Sequence, residues 1–154
     1  MKFVAVEDIA APIDTVWARV SDIDRFESRL GGRVSDLSRS PEGPAVPGTR
    51  WTGRAEVMGK SRKVEVTLAQ MTVPTLLVAT AGTEGMAVTL TAALEALGPS
   101  RTRLTVTTEA AARSLAARLM LQSVKLARQS LAKRYKSRVA DFASMVEAQA
   151  RKAG

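Results

Sequence analysis

A chain of 154 residues is one ordinary domain, and an apolar content of 45% is enough for a single sizeable core and too high for a disordered chain. It holds no cysteine and no histidine, which excludes disulfides, thiolate chemistry, cysteine or histidine metal sites and the commonest general base. The net charge of +8 is all carried between residues 110 and 140, where eight cations stand without an acid, while the remaining 15 basic and 15 acidic residues cancel.

In chain order, Met1–Ala10 reads as a strand, with Phe3, Val4 and Val6 supplying aromatic and β-branched bulk. Ala11-Pro12 stops it. Pro12 suits the start of a helix and Asp14 its positive end, and Val16, Trp17 and Val20 follow at helical spacing. Ser21 or Asp22 caps a second short helix over Ile23–Leu30, which Gly31-Gly32 ends. The middle is β. Val34–Ser40 is edge-like, Pro41–Gly48 is a surface loop, and Arg50–Met58 alternates with Trp51, Gly53, Ala55 and Val57 on one side. Gly59-Lys60 reads as a tight hairpin turn into Arg62–Met71, where Val64, Val66 and Leu68 point inward. Strands then follow through Leu77–Thr80, through Met86, Val88, Leu90 and Leu94, and through Leu104 and Val106, separated by turns at Gly82–Gly85 and Gly98–Arg101.

From Ser100 to Ala153 there is neither proline nor glycine. The stripe Met120, Val124, Ala127, Leu131, Tyr135, Val139, Phe142 and Val146 recurs at the helical period. Each strand has one apolar face and one threonine-and-charge face, so the antiparallel sheet is dry on one side, and this tail helix is the cover it needs. A straight rod over residues 111–150 would span about 60 Å at 1.5 Å per residue. A domain of this size is only about 40 Å across. A bend, or a separate first turn, is therefore expected around Ala112–Gln122.

The opening "IAAPIDTVWARVSDIDRFESRL" resembles that of the START-like, helix-grip superfamily. Gly48 opening a strand and Arg101-Thr102-Arg103-Leu104 before the last strand fit the same pattern. Within the superfamily the chain is most similar to the polyketide cyclase/dehydrase and lipid-transport proteins, including carbon monoxide dehydrogenase subunit-like members. The resemblance implies an α+β helix-grip fold over residues 1–154: a curved antiparallel sheet of about seven strands, two short helices after strand 1, and a long C-terminal helix packed across the sheet. It also implies a cavity for a hydrophobic ligand such as a lipid, quinone or polyketide, with cyclase or dehydratase chemistry in a few members. The histidine of the catalytic members has no match here.

The expected cavity lining comes from the inward strand rows (Trp51, Val57, Val66, Leu68, Met86, Val88, Leu90, Leu104) and the helix stripe (Met120, Val124, Leu131, Tyr135). Met58, Met71, Met86 and Met120 are the adaptable side chains available to such a pocket. Tyr135, the only tyrosine, needs a hydrogen-bond partner if buried, and it is the candidate acid if the protein is an enzyme. The inward rows are expected to hold no ionisable group, and Asp22, Asp24 and Glu27 read as caps and solvated surface. No glycine-rich phosphate loop or acidic cluster at metal-ligand spacing is present, so no cofactor and no metal is expected. Aromatics are 4% and not interleaved with the cations, so a nucleic-acid stacking platform is not expected. Arg118, Lys125, Arg128, Lys133 and Lys136 form a basic face suited to an anionic membrane or an acidic protein. Met1–Ala10 lacks a signal-type apolar core, and no run approaches the ~20 apolar residues of a membrane span, so a cytoplasmic protein is expected.

Overall fold

The computed structural model describes residues 1–153. Strand β1 (Lys2–Ile9) runs into helices α1 (Ile13–Val20) and α2 (Ile23–Leu30). Six strands follow: β2 (Val34–Ser40), β3 (Arg50–Val57), β4 (Lys60–Thr72), β5 (Leu76–Thr83), β6 (Met86–Gly98) and β7 (Arg101–Ala112). The chain ends in α3 (Leu115–Leu126) and α4 (Arg128–Ala153). All seven strands form one curved antiparallel sheet in the order β1-β7-β6-β5-β4-β3-β2. Strands β2 to β7 are therefore a meander, and β1 returns to pair with the last of them.

Alternation sets the inner face. Trp51 lies opposite Val66, Val66 opposite Ala81, Leu68 opposite Ala79, and Ala79 opposite Leu90. Ala92 faces Val106 and Leu94 faces Leu104. One end of this face is packed solid: Ile9, Val16, Leu104 and Val146 are fully buried, with Trp17 and Ala143 beside them. The Thr102 hydroxyl, also buried, donates to the Ala11 carbonyl at 2.9 Å and ties β7 to the entry of α1. Asp22 is the cap of α2, its carboxylate accepting from the Arg25 amide at 3.3 Å.

The β3–β4 hairpin turn sits one residue before its expected place, and the turns expected at Gly82–Gly85 and Gly98–Arg101 fall within those bounds. Val57 pairs with Lys60, so the β3–β4 turn is Met58-Gly59, both at positive φ as a type I′ turn requires. Glu84-Gly85 turns β5 into β6 in the same way, and Gly82 stays in its strand. At Gly85 a Cβ would also stand 2.4 Å from the Ser114 hydroxyl, so this turn needs glycine on two counts.

The C-terminal region departs from the expectation in two respects. Strand β7 runs on to Ala112, past residue 111 where the rod was expected to start. Its terminal alanines favour helix, but Ala110 exchanges hydrogen bonds with Met1 at 2.8 and 3.0 Å and Ala112 pairs with Met86, so ladder partners on both sides override local propensity. Ser114 then caps α3, accepting from the Ala117 amide at 3.1 Å. The break falls at Ala127, not at Ala112–Gln122. Helix α3 turns its buried Ala117 and Met120 inward and touches β7, whereas α4 lies against β1 and α1. One straight rod cannot follow both supports. The 26 residues of α4 span about 39 Å, which matches the width of the domain.

Candidate functional site

The buried stripe of α4 fades along its length. Val146 and Ala143 are buried, Phe142, Val139, Tyr135 and Leu131 are half-buried, and Ala127 is exposed. Beneath the half-buried stretch the sheet and helix separate around a cavity of about 550 Å³. Its floor is Val66, Leu68, Leu77, Ala79, Leu90, Ala92, Leu104 and Val106; its roof is Tyr135, Val139 and Phe142 of α4. Trp51 and the inner side of α2, with Val20 and Ile23, close one flank. The volume lies within the roughly 300–1,000 Å³ of small-molecule sites, and the lining is mainly apolar. Leu90, Phe26 and Leu30 stay about 40% exposed because the cavity is open at that side.

Tyr135 supplies a neutral polar contact. Its hydroxyl shares a hydrogen bond of 3.1 Å with Thr108, and its ring centroid stands 5.8 Å from that of Phe3. Burial pushes the phenol above its ordinary value, and the Thr108 hydrogen bond partly opposes the rise.

The expectation that Tyr135 is the pocket's one titratable group is corrected by α2 and α4, which bring Glu27, Arg29 and Arg138 to the wall. Glu27 is more than solvated surface. It accepts from the Trp51 indole N–H at 3.2 Å and forms an ion pair with Arg39, whose guanidinium also bonds Asp24 at 2.7 Å and lies 5.6 Å above the Trp51 ring. Both carboxylates raise the Arg39 pKa above its ordinary value, Asp24 most strongly. The inward rows also carry two charges: Glu7, opposite Leu104, and Arg62, opposite Ala55. Arg62 has a side chain only 12% exposed, pairs with Glu84 and donates to the Val57 carbonyl at 3.0 Å. Its parity with Val64 and Val66 was the available signal.

Six of the residues singled out in the sequence come together around the cavity: Trp51, Val66, Leu68, Leu90, Leu104 and Tyr135. The other six do not line it. Val57 closes β3 at the hairpin, and Met86 and Val88 border a separate hollow at the β5–β6 turn. Met120 is buried on α3, with Val124 half-buried on the same helix, and Leu131 stands just past the break. None of the four pocket methionines reaches the lining; Met58 is half exposed in its turn. The signal for α2 was weak, because Phe26, Glu27 and Leu30 are amphipathic but nothing local says which way a short helix swings. The hollow at the β5–β6 turn, about 730 Å³, lies over threonines and charged residues of the outer face and offers little apolar surface.

A family model for polyketide cyclase / dehydrase and lipid transport matches residues 1–147. The chain belongs to this family. No curated protein matches it. Among solved structures, it is similar to the ZhuI aromatase/cyclase from Streptomyces sp. R1128, at 18% identity over 100% of this chain and 98% of that one, with a TM-score of 0.66. Norcoclaurine synthase from Thalictrum flavum, in complex with dopamine and hydroxybenzaldehyde, aligns at 16% identity over 97% of this chain and 87% of that one, with a TM-score of 0.64. Ara h 8.0201 aligns at 20% identity over 92% of this chain and 98% of that one, with a TM-score of 0.56. At these identities the likeness is one of fold, and it is the helix-grip fold read from the sequence. Among the described residues no group of acids is arranged to hold a metal ion, and no helix is long and apolar enough to cross a membrane.

The five cations of the basic face, Arg118, Lys125, Arg128, Lys133 and Lys136, are all exposed. They are spread over both helices, and Arg128 sits 5.9 Å above the ring of Phe3.

Proposed function

We propose that this protein binds and passes on a hydrophobic small molecule, of lipid, quinone or polyketide type, held between the sheet and α4. The observation that carries the reading is the 550 Å³ cavity with its apolar floor of strand side chains and a half-buried helix as roof. Each CH₂ transferred into such a site contributes about 0.8 kcal/mol before the costs of association. Family membership supports the reading, and the relative that holds dopamine and hydroxybenzaldehyde shows the same fold accommodating small aromatic molecules. Native mass spectrometry after gentle purification, followed by lipid extraction, tests it. A co-purified apolar molecule is expected from the wild type, with reduced occupancy in Ala92→Phe, which fills the floor. Apo protein throughout, taking up no added apolar compound, contradicts the reading.

The cyclase or dehydratase alternative makes Tyr135 the acid. A phenol raised above 10.0 and already hydrogen-bonded to Thr108 is poorly matched to proton transfer near neutrality, which favours the carrier reading. Loss of turnover in Tyr135→Phe, on an aromatic or polyketide-like substrate, would reverse that preference.

A docking role on an anionic membrane is favoured by one further observation. Leu115, Leu119 and Leu126 are 74%, 56% and 92% exposed. At 100° per residue they fall within about 40° of one another on α3, opposite Ala117 and Val124. Arg118 and Lys125 flank them, and Arg128, Lys133 and Lys136 extend the charge along α4. Two copies meeting on this face would bring like charges together, whereas an anionic bilayer accepts both the leucines and the cations. Co-sedimentation with phosphatidylglycerol vesicles should fall as salt rises and in Leu119→Ser/Leu126→Ser. Binding indifferent to both contradicts docking through α3.

A further inference from the structure

The cavity borders a second hollow. A groove of about 420 Å³ between α1, α2 and α4 is lined by Arg19, Arg25, Arg29 and Arg138, with Asp141 the one carboxylate. Arg29, Arg138, Phe26 and Phe142 line both the groove and the cavity, so the two spaces share a wall. The four arginines come from three helices, yet they converge on one place.

They are also uncompensated. Among the described residues, none of the four has a carboxylate within 4.0 Å, whereas Arg39, Arg50, Arg62, Arg101 and Arg103 each have one. Glu27, the carboxylate on the cavity wall, is occupied by Arg39 and the Trp51 indole and so does not neutralise Arg29 or Arg138. Arg29 and Arg138 thus stand at the edge of the apolar cavity and belong to a cluster of free guanidiniums on the other side of the shared wall. Guanidiniums present paired N–H donors that match the oxygens of a carboxylate or phosphate.

We propose that the ligand is an anionic amphiphile, with its apolar tail between the sheet and α4 and its carboxylate or phosphate head in the groove of Arg19, Arg25, Arg29 and Arg138. This rests on the cavity reading above and adds the sign and place of the head group. The tail contributes affinity by burial, and the arginines set orientation, head inward to the groove.

The test is calorimetric titration of the full chain with dodecanoate, dodecyl phosphate and dodecanol, below their aggregation concentrations. At least one anion should bind roughly tenfold more tightly than dodecanol, as expected of a charge-assisted contact. The tighter anion names the head group. The margin should shrink from 50 to 500 mM salt and close in Arg29→Gln/Arg138→Gln through weaker anion binding, while Lys60→Gln on the remote hairpin keeps it. Circular dichroism of the double variant confirms its fold, and the salt series on the wild type stands without it. Equal affinity for dodecanol and both anions overturns the proposal and leaves the carrier reading intact, as does a margin that survives the double substitution. Inorganic phosphate binding as tightly as dodecyl phosphate would make the groove a free-anion site and overturn the amphiphile. No binding of any of the three amphiphiles overturns both readings.

Discussion

Tyr135 is the side chain that most directly reports on the cavity, because it is the only tyrosine in the chain and it lines the ligand space. Its phenolate absorbance can be titrated without interference from another tyrosine. Burial disfavours the charged form, so the midpoint should lie above 10.0. The shared hydrogen bond with Thr108 works the other way, and Thr108→Val should move the midpoint higher still. The linkage follows from the direction of the shift. A raised pKa in the folded state leaves this contribution to stability whole below pH 10 and removes it as the pH rises through the folded value. A midpoint at or below 10.0 would show an open, hydrated phenol. The trio of Glu27, Arg39 and Trp51 is the other local device: it holds α2 against β2 and β3 through an ion pair, an indole hydrogen bond and a guanidinium stacked near the ring. A fixed α2 is what gives the cavity its flank.

At the scale of the elements, α4 divides its work. Its C-terminal half is core and its N-terminal half is roof, so the same apolar stripe should have unequal energetic weight. Val146→Ala removes a fully buried side chain and should cost about 2 kcal/mol in urea unfolding, whereas Leu131→Ala, half-buried near the other end of the same helix, should cost less than about 1 kcal/mol. Equal effects would mean that α4 packs otherwise than described. Much of this architecture was legible in the residues. Strand alternation placed Trp51, Val66, Leu68, Leu90 and Leu104 on one face, and the helical period found the stripe that covers them. What was not legible depended on partners distant in the chain. The alanines at 110–112 became strand because Met1 and Met86 were there to pair with them. The helix broke at Ala127, with no proline or glycine to announce it, because α3 and α4 rest on different supports. Phe26, Glu27 and Leu30 entered the cavity because α2 swings against β3, and no local period encodes that.

The whole molecule is a sheet dry on one face and a helix that closes it fully at one end only. Burial at the Ile9, Val16, Leu104 and Val146 end stabilises the fold, and incomplete burial at the Tyr135 end leaves room for a guest. A ligand that binds only the folded state should stabilise it by RT ln(1 + [L]/Kd), about 2.7 kcal/mol at a hundredfold excess over Kd, and so raise the melting temperature with concentration. The central claim is where that guest sits. Amide chemical-shift mapping of the labelled protein during titration with a twelve-carbon amphiphile tests this most directly. The account predicts shifts concentrated at Leu68, Ala79, Leu90, Ala92 and Val106 and along Tyr135–Phe142. Shifts confined to the outer threonine face near Gly85, or to Leu115–Leu126 of α3, with the inner strand residues unmoved, would contradict it.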